Sequence, residues 1–159
     1  MTPSGPRKAR VFIDADVLFA GAAASHEHGA SLVILRMAEI TLIDAVTSRQ
    51  AIVEAERNLD AKVPRALTAF RLLVDRCVRV APDPAPADLV AHAGLAHPED
   101  LPILVTALRE ECSWLVTFNI RHFQPGHPRV RVLRPGEFLL QVRDLLAHMT
   151  RGAEDVKGA

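Results

Sequence analysis

Residues 97–123, HPEDLPILVTALREECSWLVTFNIRHF, restrict the possible folds of this chain more than any other stretch. Ser113-Trp114-Leu115-Val116-Thr117-Phe118 has strand length and is mostly apolar, the pattern of a strand covered on both faces. Asn119-Ile120-Arg121-His122 follows as a polar loop at its carboxyl end. A helix is predicted just before this strand. Pro98 suits its first position, where a missing N–H costs nothing, and Glu99 and Asp100 then sit in the first turn, where the helix dipole favours negative charge. Asp100, Ile103, Leu104, Ala107 and Leu108 share one face. Asp100 therefore heads the apolar stripe, where a carboxylate must be paired, metal-bound or protonated. Capping its own helix or neutralising an arginine would satisfy it as well as a functional role would.

The rest of the chain repeats this grammar. Arg10-Val11-Phe12-Ile13 is a short apolar run ending at Asp14-Ala15-Asp16. Further strands are predicted at 41–46, 78–80 and 130–133. Helices are predicted over 30–39, from a Thr47 or Ser48 cap to about Leu59, from Pro64 through Cys77, over 87–95, and from Pro135 to about Met149. His26, Glu27, His28 and Gly29 read as a loop, and 81–86 as a proline-rich connection. Strands alternating with helices predict an α/β chain with a parallel sheet and helices on both faces. At 159 residues the expectation is a single domain over 10–149, with a flexible basic tail at 1–9 and a C-terminal tail at 150–159.

Charge and composition exclude several function classes. Lys plus Arg and Asp plus Glu both number 19, so no global field points to nucleic acid or membrane. No apolar run approaches the roughly 18 residues of a membrane span and none of signal-peptide length precedes Val11, which makes the cytoplasm the expected location. Cys77 and Cys112 lie in apolar segments and read as buried free thiols. His26 and His28 lack further ligands at zinc-finger spacing, no Ser/His/Asp or Cys/His set stands out, and no glycine-rich phosphate loop is present.

The polar residues at strand ends carry the chemical signal. Asp14 and Asn119 end two predicted strands, and open α/β sheets bind ligands outside those ends. Glu54 and Glu56 flank the apolar stripe of the helix that Ala51, Ile52, Ala55 and Leu59 define, and the helical wheel does not choose between them. Carboxylates converging on one spot raise each other's pKa, and Mg²⁺ or Mn²⁺ held by oxygen ligands resolves that conflict. From Phe118 to Gly136 there is no acid, but there are Arg121, Arg129, Arg131 and Arg134 with His122 and His127. That basic strip begins at the candidate site and suits a phosphate backbone. Arg129 and Arg131, alternating with Val130 and Val132, fit an exposed edge strand equally well.

In these motifs the chain resembles PIN-domain nucleases, which include the VapC-type toxins of toxin–antitoxin pairs. Val11-Phe12-Ile13-Asp14-Ala15-Asp16-Val17-Leu18 is similar to the family's opening strand with its first acid. SRQAIVEAERNL, starting at Ser48, is similar to its second motif and in that register selects Glu54 over Glu56. Asp100-Leu101-Pro102-Ile103-Leu104 with Ala107-Leu108 resembles the third motif, and 114–123 the fourth. The sequence around Arg134-Pro135-Gly136-Glu137-Phe138 resembles the usual ending, so the likeness covers about residues 10–142.

The resemblance implies a three-layer α/β/α sandwich around a central parallel sheet. It also implies a Mg²⁺- or Mn²⁺-dependent endoribonuclease that hydrolyses RNA phosphodiesters by metal-activated water, with a cognate antitoxin as partner and room for a homodimer. By the same resemblance Asp14, Glu54 and Asp100 would be metal ligands, and Thr117 would orient an acid. Asn119 would complete the catalytic set, although it stands where the family often has a further Asp and adds no charge. Asp16, where the family often has Asn, would either recover part of that charge or cap the following helix. Arg121, His122, Arg129 and Arg131 would contact RNA. A catalytically weakened PIN-like module that binds RNA or protein is the alternative.

Overall fold

The computed structural model describes residues 7–24 and 29–157, with side chains described as far as residue 152; the loop expected at His26, Glu27 and His28 lies outside the described residues. The elements run β1 (Arg10–Ile13), α1 (Ala15–Ala23), α2 (Ala30–Glu39), β2 (Asp44–Ser48), α3 (Arg49–Lys62) and α4 (Leu67–Cys77). They continue through β3 (Arg79–Ala81), α5 (Pro86–Ala91), α6 (Leu101–Arg109), β4 (Trp114–Val116), β5 (Arg131–Leu133) and α7 (Pro135–Lys157). The strands form one sheet in the order β3-β2-β1-β4-β5, and every neighbouring pair is parallel. This is the α/β/α sandwich that the alternation of strands and helices predicts.

Burial accounts for the strand sequences. Val11, Phe12, Ile13, Val46, Leu115 and Val116 are fully covered, as expected of parallel strands packed on both faces. α1 packs on α2, α3 and α4, while α5 packs on α6, and α6 lies against β2 and β4. Right-handed crossovers place the connections from β1 to β3 on one face of the sheet and the return to β4 on the other. The chain therefore leaves β1 towards β2 but leaves β4 towards β5. The crevice between the carboxyl ends of β1 and β4 is the point where the winding reverses, which is where sheets of this kind bind ligands.

Several boundaries differ from the sequence expectation. Residues 41–43 are not strand: Thr41 has φ 65 and the Thr41 and Leu42 amides bond back to Ala38 and Met37, so a turn closes α2 and β2 begins at Asp44. Ser48 is the cap of α3, its hydroxyl accepting from the Ala51 amide at 3.2 Å. The helix after Pro98 starts at Leu101 instead, with Pro98 in the preceding turn and Asp100 as the N-cap residue. Pro64 opens a short 3₁₀ turn before α4. α7 runs to Lys157, where an end near Met149 was expected. In α7, Phe138 is buried edge-on to Trp114, with ring centroids 6.0 Å apart, and Leu139 and Val142 pack on the core. Leu145, Leu146 and Met149, further along the same face, are exposed.

Cys77 and Cys112 are free and buried. Burial pushes both thiols up, Cys112 to about 12, so neither supplies a thiolate nucleophile near neutral pH. Among the described residues no helix is long and apolar enough to cross a membrane.

Candidate active site

Asp14 follows directly on β1 and Thr117 directly on β4, and these strands are adjacent in the sheet. The Asp14 amide donates to the Val116 carbonyl at 3.1 Å, continuing the ladder past the last strand residue. Asp14 is 6% exposed. One of its oxygens accepts from the Ala15 amide at 2.8 Å, at the start of α1, and the other from the Thr117 hydroxyl at 2.8 Å. Both bonds favour the carboxylate, but burial and then the nearby Asp16 and Asp100 charges outweigh them. The Asp14 carboxyl is pushed up to about 7.

Asp16 lies in the first turn of α1. Its Oδ2 accepts from the Phe118 amide at 2.9 Å and stands 3.3 Å from the same Thr117 hydroxyl, so it ties α1 to the loop after β4. Its Oδ1 is buried without a hydrogen-bond partner. Burial raises the Asp16 pKa, with Asp100 adding to the shift against the hydrogen bonds.

Asp100 keeps its side chain out of helix capping, since as N-cap of α6 it makes no side-chain cap bond. Its Oδ2 lies 2.9 Å from Nδ1 of His122, whose ring stacks on His97 at 5.5 Å between centroids. Of the bland alternatives for Asp100, neither a cap on its own helix nor an arginine partner is found among the described residues; its partner is a histidine from the loop after β4. That loop is clamped to the α5–α6 connection by the His97 amide on the His122 carbonyl at 2.7 Å and the Gly126 amide on the Leu95 carbonyl at 2.8 Å.

Glu54 and Glu56 separate here. Glu56 accepts from Arg71 of α4 at 3.2 Å and lines a hollow with Arg57, Asp60 and Arg71. Glu54 is exposed, makes no side-chain hydrogen bond among the described residues, and feels the charges of Asp100, Asp16 and Glu99. Its pKa is raised, first by partial burial and then by Asp100 and Asp16, with Arg57 opposing. α3 is held beside α6 by Gln50, whose side chain donates to the Glu99 carbonyl at 3.0 Å. Thr47 joins β2 to β1 by donating to the Ile13 carbonyl at 2.8 Å. Sequence reasoning missed both of these brackets. Their only signal was a polar residue at a strand end and another in the first turn of a helix.

Asn119 is exposed. Its amide donates to the Thr117 hydroxyl at 3.1 Å, and its side chain makes no hydrogen bond among the described residues. Arg121 lies exposed in the 3₁₀ turn Ile120–Phe123, beside His122. Arg129 and Arg131 do not join this group. In register Arg131 pairs with Trp114 at the amino end of β4, and Arg129 lines a shallow hollow with Ser113 and Cys112.

The structure thus brings Asp14, Asp16, Glu54 and Asp100 into one electrostatic neighbourhood at the carboxyl ends of β1 and β4. All the donors are carboxylate oxygens, the chemistry a hard divalent cation takes. One is a buried oxygen with no partner of its own. Among the described residues no three His, Cys, Asp or Glu side chains stand close enough together to form a metal-ligand group.

Comparison with known proteins places this geometry. A model of the PIN domain matches residues 10–121, a span holding all four acids, Thr117, Asn119 and Arg121. No curated protein matches the chain. Among solved structures, VapBC2 from Rickettsia felis bound to a DNA fragment from their promoter is similar at TM-score 0.57 and 14% identity, covering 79% of this chain and 98% of that one. FitAB bound to the IR36 DNA fragment is similar at TM-score 0.53 and 15% identity, covering 79% and 94%. At such identities these likenesses speak for the fold. From its first strand to the loop beyond its fourth, the chain belongs to the PIN-domain family, the nuclease family its motifs resemble.

Proposed function

We propose that this chain is a Mg²⁺- or Mn²⁺-dependent endoribonuclease that hydrolyses RNA phosphodiesters, and that it is the toxin of a toxin–antitoxin pair. The observation that carries the reading is the crowding of acids: Asp14 is buried at the end of β1, the Thr117 hydroxyl stands between it and Asp16 at 2.8 and 3.3 Å, and burial with the Asp16 and Asp100 charges pushes the Asp14 carboxyl up to about 7. A doubly charged cation is the partner that makes such a group tolerable in its ionised form. Asp14, Glu54 and Asp100 would hold it. Once bound, such an ion supplies water activation at neutral pH and neutralisation of charge on the phosphodiester.

The chain's own residues divide the remaining work. The Ala15 amide and the Thr117 hydroxyl fix Asp14 in one orientation. Glu54, unbonded on its helix, is free to swing towards the ion or to hold the attacking water. His122 holds Asp100, and Arg121, next to His122 in the 3₁₀ turn, presents a positive charge to solvent. Asn119 offers an amide oxygen that positions water without adding charge. Arg129 and Arg131 stand at the amino end of the β5 edge, across the sheet from the acids, where only a longer RNA would reach them with its phosphates. The antitoxin assignment is supported by the VapC-type motifs and by the fold shared with VapBC2. A cytoplasmic location accords with an RNA substrate.

Incubating purified protein with RNA in Mn²⁺ or Mg²⁺ beside an Asp100→Asn variant tests the assignment. Cleavage by the wild type and a loss of about a hundredfold or more in the variant are expected. Undiminished cleavage by the variant would remove Asp100 from the site. The uncharged Asn119 favours one rival, the weakened binding module. A wild type that binds RNA without cutting it, and gains cleavage on Asn119→Asp, would establish that rival. Expression of the chain should arrest growth, and the cognate antitoxin should relieve the arrest; no effect on growth would speak against toxicity.

A further inference from the structure

Asp16 Oδ1 is the buried side-chain atom left without a hydrogen bond among the described residues. The other oxygen of the same carboxylate accepts from the Phe118 amide at 2.9 Å and stands 3.3 Å from the Thr117 hydroxyl, whose proton goes to the nearer Asp14. If Asp16 served only to fasten α1 to the loop after β4, an amide would do this at lower cost. An asparagine accepts the same backbone bond through its oxygen and carries no charge into a partly buried position beside Asp14. Capping does not explain the acid either, because the N-cap of α1 is Asp14. What remains is a negative charge with one oxygen turned inward, sharing the Thr117 hydroxyl with Asp14.

We propose that Asp16 is a fourth carboxylate of the cation site, with Oδ1 supplying an oxygen that either meets the ion or holds one of its waters. The inference rests on the cation-dependent reading above and extends it to a residue whose place in the fold alone would not require a charge. It also accounts for a site that works with a neutral Asn119, since the charge stands on the helix side of Thr117 instead of the loop side. The unsatisfied oxygen and the repulsion with Asp14 are then two sides of one arrangement, relieved together when the ion is present.

The test separates charge from scaffolding. Mn²⁺ binding is measured by titration calorimetry for wild type, Asp16→Asn and Asp100→Asn, with thermal midpoints in EDTA recorded for each. Asp16→Asn keeps the acceptor for the Phe118 amide. It is therefore expected to unfold at or above the wild-type midpoint in EDTA while binding Mn²⁺ about ten- to a hundredfold more weakly. Unchanged Mn²⁺ affinity in Asp16→Asn, beside a clear loss in Asp100→Asn, would overturn the role of Asp16 and leave the cation site standing. No Mn²⁺ binding by the wild type would overturn the site itself and this role with it. A measurement free of variants adds to this: Mg²⁺ should shift the Phe118 amide resonance of the wild-type protein, because that amide donates to Asp16. A resonance that stays in place under saturating Mg²⁺ would refute the proposal.

Discussion

The Thr117 hydroxyl has one proton and two carboxylates to give it to, Asp14 at 2.8 Å and Asp16 at 3.3 Å. It satisfies one fully and leaves the other to its backbone donor. Thr117→Val removes that proton while keeping the shape, and should destabilise the protein by about 1–3 kcal/mol. It should also weaken Mn²⁺ binding, because Asp14 loses the bond that fixes its orientation. An unchanged urea midpoint in the variant would refute this. The acids also set a pH dependence. The folded Asp14 carboxyl sits at about 7, well above the ordinary aspartate value near 3.8. Between those limits the folded protein holds a proton that the unfolded chain has already released, so stability falls as pH rises through that window. The loss is a few kcal/mol, complete above pH 7. Protein in EDTA should therefore melt at a higher temperature at pH 5 than at pH 8, and Mn²⁺ should raise the midpoint most at pH 8. A midpoint rising from pH 5 to 8 without metal would contradict the burial of this group. At this scale the acids Asp14, Asp16 and Asp100 were legible as residues at strand and helix ends. The engagement of Glu56 was not, because its partner Arg71 lies on another helix, which a helical wheel does not show.

Among the elements, α7 shows where sequence pattern and packing part company. Its apolar face is continuous, but only the first part is covered: Phe138 is buried while Leu145, Leu146 and Met149 are 58%, 58% and 71% exposed. Phe138→Ala should cost about 3–5 kcal/mol, since it opens a cavity beside Trp114. Leu146→Glu, in the same helix, should change the stability of the isolated chain by no more than about 0.5 kcal/mol. Denaturant midpoints of the two variants check the contrast; a large loss in Leu146→Glu would mean that the exposed face is covered in solution. The boundaries that sequence misplaced lie where local turns override the apolar pattern. Thr41 and Glu111 take positive φ at helix ends, at 65 and 57, a conformation that neither residue type advertises. Pro98 offered a helix start, but a turn from His97 to Asp100 precedes the helix and moves that start to Leu101. By contrast β1 and α2 fall where the apolar patterns put them, because nothing tertiary competes with those patterns.

For the molecule as a whole, net charge is zero and any hold on RNA is local. RNA affinity should accordingly show a shallow salt dependence, and Arg121→Ala should reduce its slope by about one. A variant with the wild-type slope would take Arg121 out of the interface. The basic strip illustrates what a linear reading cannot see. A strand parallel to β4 must begin at the opposite edge, so the chain leaves the acids after Arg121 and travels back before Arg129 and Arg131 appear. Neighbours in sequence thus end at opposite ends of the sheet. The strand order has a last consequence, for timing. Of the five strands β1 is made before the others, yet one side of it stays bare until β4, about a hundred residues later, arrives to complete the crevice. A chain released before Trp114 is made would carry Asp14 on a half-covered strand, with no opposite wall to the crevice and no Thr117 to hold it.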